Sequence, residues 1–87
     1  MREIIIECSD METPELAMEL LGKSLGAARG VIHDLDSLYE YLMEIEKPVE
    51  ITFEDVDLLD VYLDEFGAEI LETFEQAAAE NDNIELI

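Results

Sequence analysis

Along this chain the apolar residues fall in blocks whose spacing alternates between that of strands and that of helices. Arg2-Glu-Ile-Ile-Ile-Glu7 is a β-branched run of strand length, and its consecutive isoleucines predict burial on both faces. Thr13-Pro14-Glu15 is a helix start: a capping hydroxyl, a proline in the first turn and an acid at the positive end of the dipole. Leu16, Leu20, Leu21 and Leu25 then share one helical face, and Gly26 supplies a stop. Residues 27–32 read as a connecting loop with an unusually apolar end. A second helix begins near Asp34, an N-cap, carries Leu35, Leu38, Leu42 and Ile45 as a core stripe, and stops at Lys47-Pro48. Val49-Glu-Ile-Thr-Phe53 is a second strand, followed by a cap near Asp55. Leu58, Leu59, Tyr62, Leu63 and Phe66 mark a third helix ending at Gly67, and Ile70, Leu71, Phe74, Ala77 and Ala78 mark a fourth. Asn81-Asp82-Asn83 is a turn, and Ile84 to Ile87 a last strand.

Strands separated by helical crossovers pair in parallel, with right-handed connections. The order β-α-α-β-α-α-β therefore predicts an α/β fold: a three-stranded parallel sheet packed with four helices, one domain over residues 1–87.

Charge changes the picture. The chain holds 24 acids against 4 bases, a formal net charge of −20 at pH 7, and all four bases (Arg2, Lys23, Arg29, Lys47) precede Pro48. Such an imbalance costs stability through self-repulsion, and its natural partner is a strongly basic protein surface. Hydrophobic residues at 49% separate the chain from acidic disordered tails, whose apolar content is too low to offset chain entropy. The charge opposes binding to nucleic acid or an anionic membrane, and no apolar run approaches the roughly 18 residues of a membrane span. The N-terminus lacks signal-peptide architecture and there is a single cysteine, Cys8, so a reducing, cytoplasmic setting is expected.

Asp36, Glu40 and Glu44 form a row at i, i+4, i+8 beside Tyr39 and Met43. Like charges so spaced repel by about 0.2–0.5 kcal/mol per pair. The row reads either as a solvated face or as an acidic binding stripe next to an aromatic anchor. Glu69, Glu72, Gln76 and Glu80 line a neighbouring surface of the fourth helix, with Glu80 set against the helix dipole. His33 has no second histidine or thiol near it in sequence, and reads as a surface neighbour of the cap; Cys8 reads as a small buried filler. The aspartates at 34, 36, 55, 57 and 60 lack the glycine and bidentate glutamate of a calcium loop. No phosphate-binding glycine loop and no nucleophile–base pair is present, so neither an enzyme nor a cofactor or metal is expected.

The element order and several local words resemble the barstar family, acidic inhibitors of barnase-type, extracellular bacterial ribonucleases. The segment Leu35-Asp-Ser-Leu-Tyr-Glu-Tyr-Leu42 is similar to that family's Leu-Asp-Ala-Leu-Trp-Asp-Cys-Leu helix, and a Pro precedes the next strand in both. The region from Gly67 through Phe74 and Ala77 resembles the last helix, and Asp82-Asn-Ile-Glu-Leu-Ile87 the closing strand. The resemblance implies an inhibitor that inserts its second helix and preceding loop into a ribonuclease active site. It implies that Asp36 is the first key acid, that Glu40 stands for the dominant Asp with one methylene more, and that Tyr39 replaces the Trp. Gln76 and Glu80 align with supporting acids of the last helix, the first without its charge, and the Lys47-Pro48 bond is expected to be cis.

The loop departs from the family. Where the family has Tyr-Tyr-Gly-x-Asn, this chain has Gly30-Val31-Ile32-His33-Asp34. The fold is therefore expected to persist with inhibition weakened or retargeted. Val31, Ile32, Tyr39 and Met43 would form an apolar patch rimmed by Asp36, Glu40 and Glu44, or else Val31 and Ile32 would tuck under the loop as satellite core. If exposed, the patch suits another protein partner or self-association, in a divergent member or an engineered variant of the scaffold. The expected partner surface is Gly30, Val31, Ile32, Asp36, Tyr39, Glu40, Met43, Glu44, Gln76 and Glu80.

Overall fold

The computed structural model describes residues 2–87. Strands β1 (Arg2–Glu7), β2 (Val49–Glu54) and β3 (Ile84–Leu86) form one parallel sheet in the order β1-β2-β3. Helices α1 (Pro14–Leu25), α2 (Leu35–Met43), α3 (Asp57–Leu63) and α4 (Glu65–Glu80) connect them, with a 3₁₀ turn at Cys8–Asp10 after β1. The predicted α/β class and element order are those observed.

Local chemistry accounts for most boundaries. Thr13 caps α1 by accepting the Leu16 N–H at 3.1 Å, Pro14 fills the first turn, and Gly26 closes the helix at φ 78°. The four-residue turn Ala28–Val31 follows, with Gly30 at φ 83° and a Val31 N–H to Ala28 carbonyl bond of 3.1 Å. The core joins Ile4, Ile6, Val49, Ile51 and Ile84 of the sheet to Leu21, Leu38, Leu42, Ile70 and Phe74 of the helices. Phe53 meets Phe74 edge-on, ring centres 5.0 Å apart. Cys8 is buried in this core, and burial pushes its thiol up to about 11.

The three isoleucines of β1 are not buried on both faces: Ile4 and Ile6 are buried, whereas Ile5 is 56% exposed. The helices pack on one face of the sheet, so strand alternation leaves the other face open. Tyr62 is exposed, because α3 lies against α4 and the 3₁₀ turn instead of the sheet. Gly67 does not end α3. The break falls at Asp64, with φ 48°, and Gly67 sits in the first turn of α4, where a Cβ would lie 2.6 Å from the Leu59 carbonyl oxygen. Its missing side chain is what lets α3 and α4 cross at backbone contact. Asp55 caps nothing; the residue before α3 is Val56, without a side-chain cap. Helix α2 ends at Met43, earlier than Lys47-Pro48. The Lys47-Pro48 bond is trans, the form an X–Pro bond favours, and the Pro48 carbonyl accepts the Arg2 N–H at 3.4 Å as β1 and β2 begin to pair.

The sheet ends in a carboxyl pair. Glu7 accepts the Ser9 N–H, which holds it below its ordinary value, and it shares a side-chain hydrogen bond with Asp55. That bond, and then the Glu7 charge, push Asp55 up. Asp55 binds its proton more tightly in the folded state, so its contribution is full below its ordinary pKa and fades as pH rises through the raised value. Glu7 has the opposite sign: its contribution is present above its ordinary pKa and fades as pH falls through its lowered value. Where both are ionised they repel. Asp55→Asn keeps a donor there and also suits the positive φ of 56° at this position. It is expected to raise the thermal midpoint at neutral pH, with a smaller gain in acid, where wild-type Asp55 regains its proton. An equal gain at both pH values would contradict the shared proton.

Candidate acidic interface on the second helix

The start of α2 is held by a reciprocal cap. The Asp34 carboxylate accepts the Ser37 N–H at 2.7 Å, and the Ser37 Oγ accepts the Asp34 and His33 N–H groups, each at 3.0 Å. The bond from the Ser37 N–H is the main cause holding Asp34 below its ordinary range. His33 is exposed beside this carboxylate, with Nδ1 3.4 Å from it.

The end of α2 lacks a glycine, and its carbonyls are satisfied from the turn before β3. Asn81 donates to the Leu42 and Ile45 carbonyls at 2.9 and 3.1 Å, and Asn83 donates to the Ile45 carbonyl at 3.0 Å. In the sequence these asparagines read only as turn residues. Their side-chain partners lie nearly 40 positions away, at separations of 39, 36 and 38 residues, where no local pattern reports them. Tyr41 adds a third support by donating to the Leu25 carbonyl at the end of α1, at 3.1 Å.

Between these ends Leu38 and Leu42 are buried, and Asp36, Glu40 and Glu44 stand exposed in the expected row. Tyr39 and Met43 are half-buried against the core, and the Tyr39 hydroxyl donates to the Glu80 carboxylate of α4. This bond, ahead of burial, raises the Tyr39 phenol above its ordinary value. Glu80, set against its own helix dipole, thus has a structural partner across the α2–α4 seam. Gln76 is exposed one turn earlier on α4.

Val31 and Ile32 divide. Val31 is 45% exposed, but Ile32 is 4% exposed and belongs to the core, packing near Gly22 of α1. The rimmed apolar patch that would include both is therefore not formed, and Ile32 is buried away from the candidate surface. The loop offers Val31 and Gly30 alone.

Among the described residues Lys23 pairs with Glu19, at 3.8 Å, and the His33 imidazole stands beside the Asp34 carboxylate. Neither involves the acidic row. Arg2 and Lys47 line a groove below the end of α2, and Lys23 and Arg29 another beside α1. The Arg2 guanidinium reaches the C-terminal end of α1, coming within 3.0 Å of where a Gly26 Cβ would stand, a favourable place for a cation. No group of three or more His, Cys, Asp or Glu is gathered to hold a metal among the described residues, and none of their helices is long and apolar enough to cross a membrane.

No family model matches this chain, and no curated protein matches it in sequence.

Asn81→Ala removes two bonds to half-buried carbonyls and is expected to lower the unfolding free energy by about 1–3 kcal/mol in urea titrations. Asn81→Asp is expected to cost at least as much at neutral pH, since a carboxylate cannot donate to those carbonyls. A negligible loss in both variants would show that the end of α2 does not depend on this turn.

Proposed function

We propose that this protein is an acidic protein-binding domain with a barstar-like fold, an inhibitor that blocks the basic active site of an extracellular-type bacterial ribonuclease with carboxylates of α2. Asp36, Glu40 and Glu44 lie in a single exposed row, and none has a cationic partner among the described residues. An arrangement that costs helix stability and has no internal compensation is suited to compensation from outside.

In the mechanism, the net negative field draws the basic enzyme in and speeds encounter at low salt. Asp36 and Glu40 then pair with Arg or Lys groups that otherwise hold RNA phosphates. The Tyr39 ring supplies apolar contact area. Its hydroxyl is committed to Glu80, so Glu80 braces the anchor and Gln76 lies at the rim. Glu40 is one methylene longer than the family's Asp, and the loop presents Gly30 and Val31 where the family has aromatics. The affinity is accordingly expected to fall short of the family's, with a different preference among ribonucleases.

Titration against a panel of basic bacterial ribonucleases at two salt concentrations tests this. Binding is expected for at least one, weakening sharply as salt rises. Asp36→Ala and Glu40→Ala are each expected to cost about tenfold or more in affinity, the range for a charge pair desolvated at an interface. Absence of binding to every enzyme at low salt would overturn the ribonuclease reading.

A further inference from the structure

The face of the sheet that carries no helix is built in rows. The register pairs Glu3 with Glu50 and Glu50 with Glu85, all on this open face. Two positions further along, Ile5 pairs with Thr52, and Ile87, one step past β3 with its N–H on the Ile51 carbonyl at 2.9 Å, continues that row. Glu7 and Glu54 pair in the next. Ile5 and Ile87 are 56% and 68% exposed. The face is thus an apolar strip between two glutamate rows, without a lysine or arginine: Arg2 falls on the opposite parity, with Ile4 and Ile6.

Two features make this face unusual for a self-sufficient fold. Parallel sheets are ordinarily covered on both sides. Like charges directly opposite one another on neighbouring strands are destabilising, and here they are stacked across all three. Charge complementarity decides what would cover it. A second copy would set glutamate rows against glutamate rows, and a nucleic acid would meet the same repulsion. A cationic partner meets neither.

Dimensions narrow the partner further. With about 3.3 Å per residue, the glutamate rows lie about 13 Å apart, and with strands about 4.8 Å apart the apolar strip runs about 10 Å across the sheet. An α-helix with its side chains is about 10–12 Å wide. We propose that the open face of the sheet is a docking surface for a basic amphipathic helix of another protein, laid across the strands. Its apolar stripe rests on Ile5, Thr52 and Ile87, and its flanking Lys or Arg residues reach the two glutamate rows. This surface is opposite the helical layer and independent of the one proposed on α2.

The test uses the full chain and a synthetic, fluorescein-labelled Leu/Lys peptide of about 14 residues, patterned as an amphipathic helix with one leucine stripe. Its control has the same composition in scrambled order. Fluorescence anisotropy at low salt is expected to show binding of the patterned peptide, at least about tenfold tighter than of the scrambled one, the gain expected from seating an apolar stripe of a few CH₂ groups. Joint replacement Glu3→Gln, Glu50→Gln and Glu85→Gln, which relieves repulsion and so does not threaten folding, is expected to weaken binding about tenfold. Ile5→Asp is expected to weaken it as well, and Asp36→Asn with Glu40→Gln to weaken it less than the sheet variants do. Equal binding of both peptides, no binding at low salt, or loss through the α2 variants and not the sheet variants would overturn the proposal.

Discussion

The parallel register of the three strands puts residues of one parity in rows across the sheet, and the character of those rows decides where everything else goes. On one side the rows are Val49 with Ile84, Ile4 with Ile51 and Leu86, and Ile6 with Phe53. That surface must be covered, and α1, α2 and α4 supply the leucines, Ile70 and Phe74 that cover it. On the other side the rows are mainly glutamate, and no helix of the chain can be laid there without burying unpaired carboxylates. One-sided packing is the consequence. It confines the core to a single layer and drives the remaining acids outward, onto the exposed sides of the helices.

Segregation of charge follows from the same division. The four bases collect at the edges of the core, Arg2 against the end of α1 and the others in grooves flanking α1 and α2. Little of the negative charge is neutralised inside the chain. What the fold does provide is rigidity beneath the acidic row of α2: a reciprocal Asp34–Ser37 cap at one end, the Asn81 and Asn83 amides at the other, and the Tyr39–Glu80 bond between. A row of carboxylates held at fixed spacing loses less entropy on meeting a charged partner than a flexible one.

Periodicity and capping chemistry made most of the fold legible in the sequence. Thr13-Pro14 and Gly26 bound α1, and Asp34 caps α2, because each signal acts within one helical turn. Distant contacts were not legible. Gly67 reads locally as a stop, yet its role is to admit the Leu59 backbone. Three consecutive isoleucines read as a strand buried on both sides, yet whether a second layer exists depends on where the crossovers run. The exposed acids and half-buried Tyr39 of the candidate site were readable from the helical period, whereas the partition of Val31 from Ile32 and the Tyr39–Glu80 tie depend on how the loop and α4 settle against α2.

Most acids of this fold repel one another with little compensation among the described residues. Urea unfolding followed from about 0.01 M to about 1 M sodium chloride, over which the screening length falls from about 30 Å to about 3 Å, measures that repulsion directly. Stability at neutral pH is expected to rise steadily as the charges are screened. A stability that stays flat or falls with salt would mean that the acids are paired within the chain, and would contradict uncompensated repulsion.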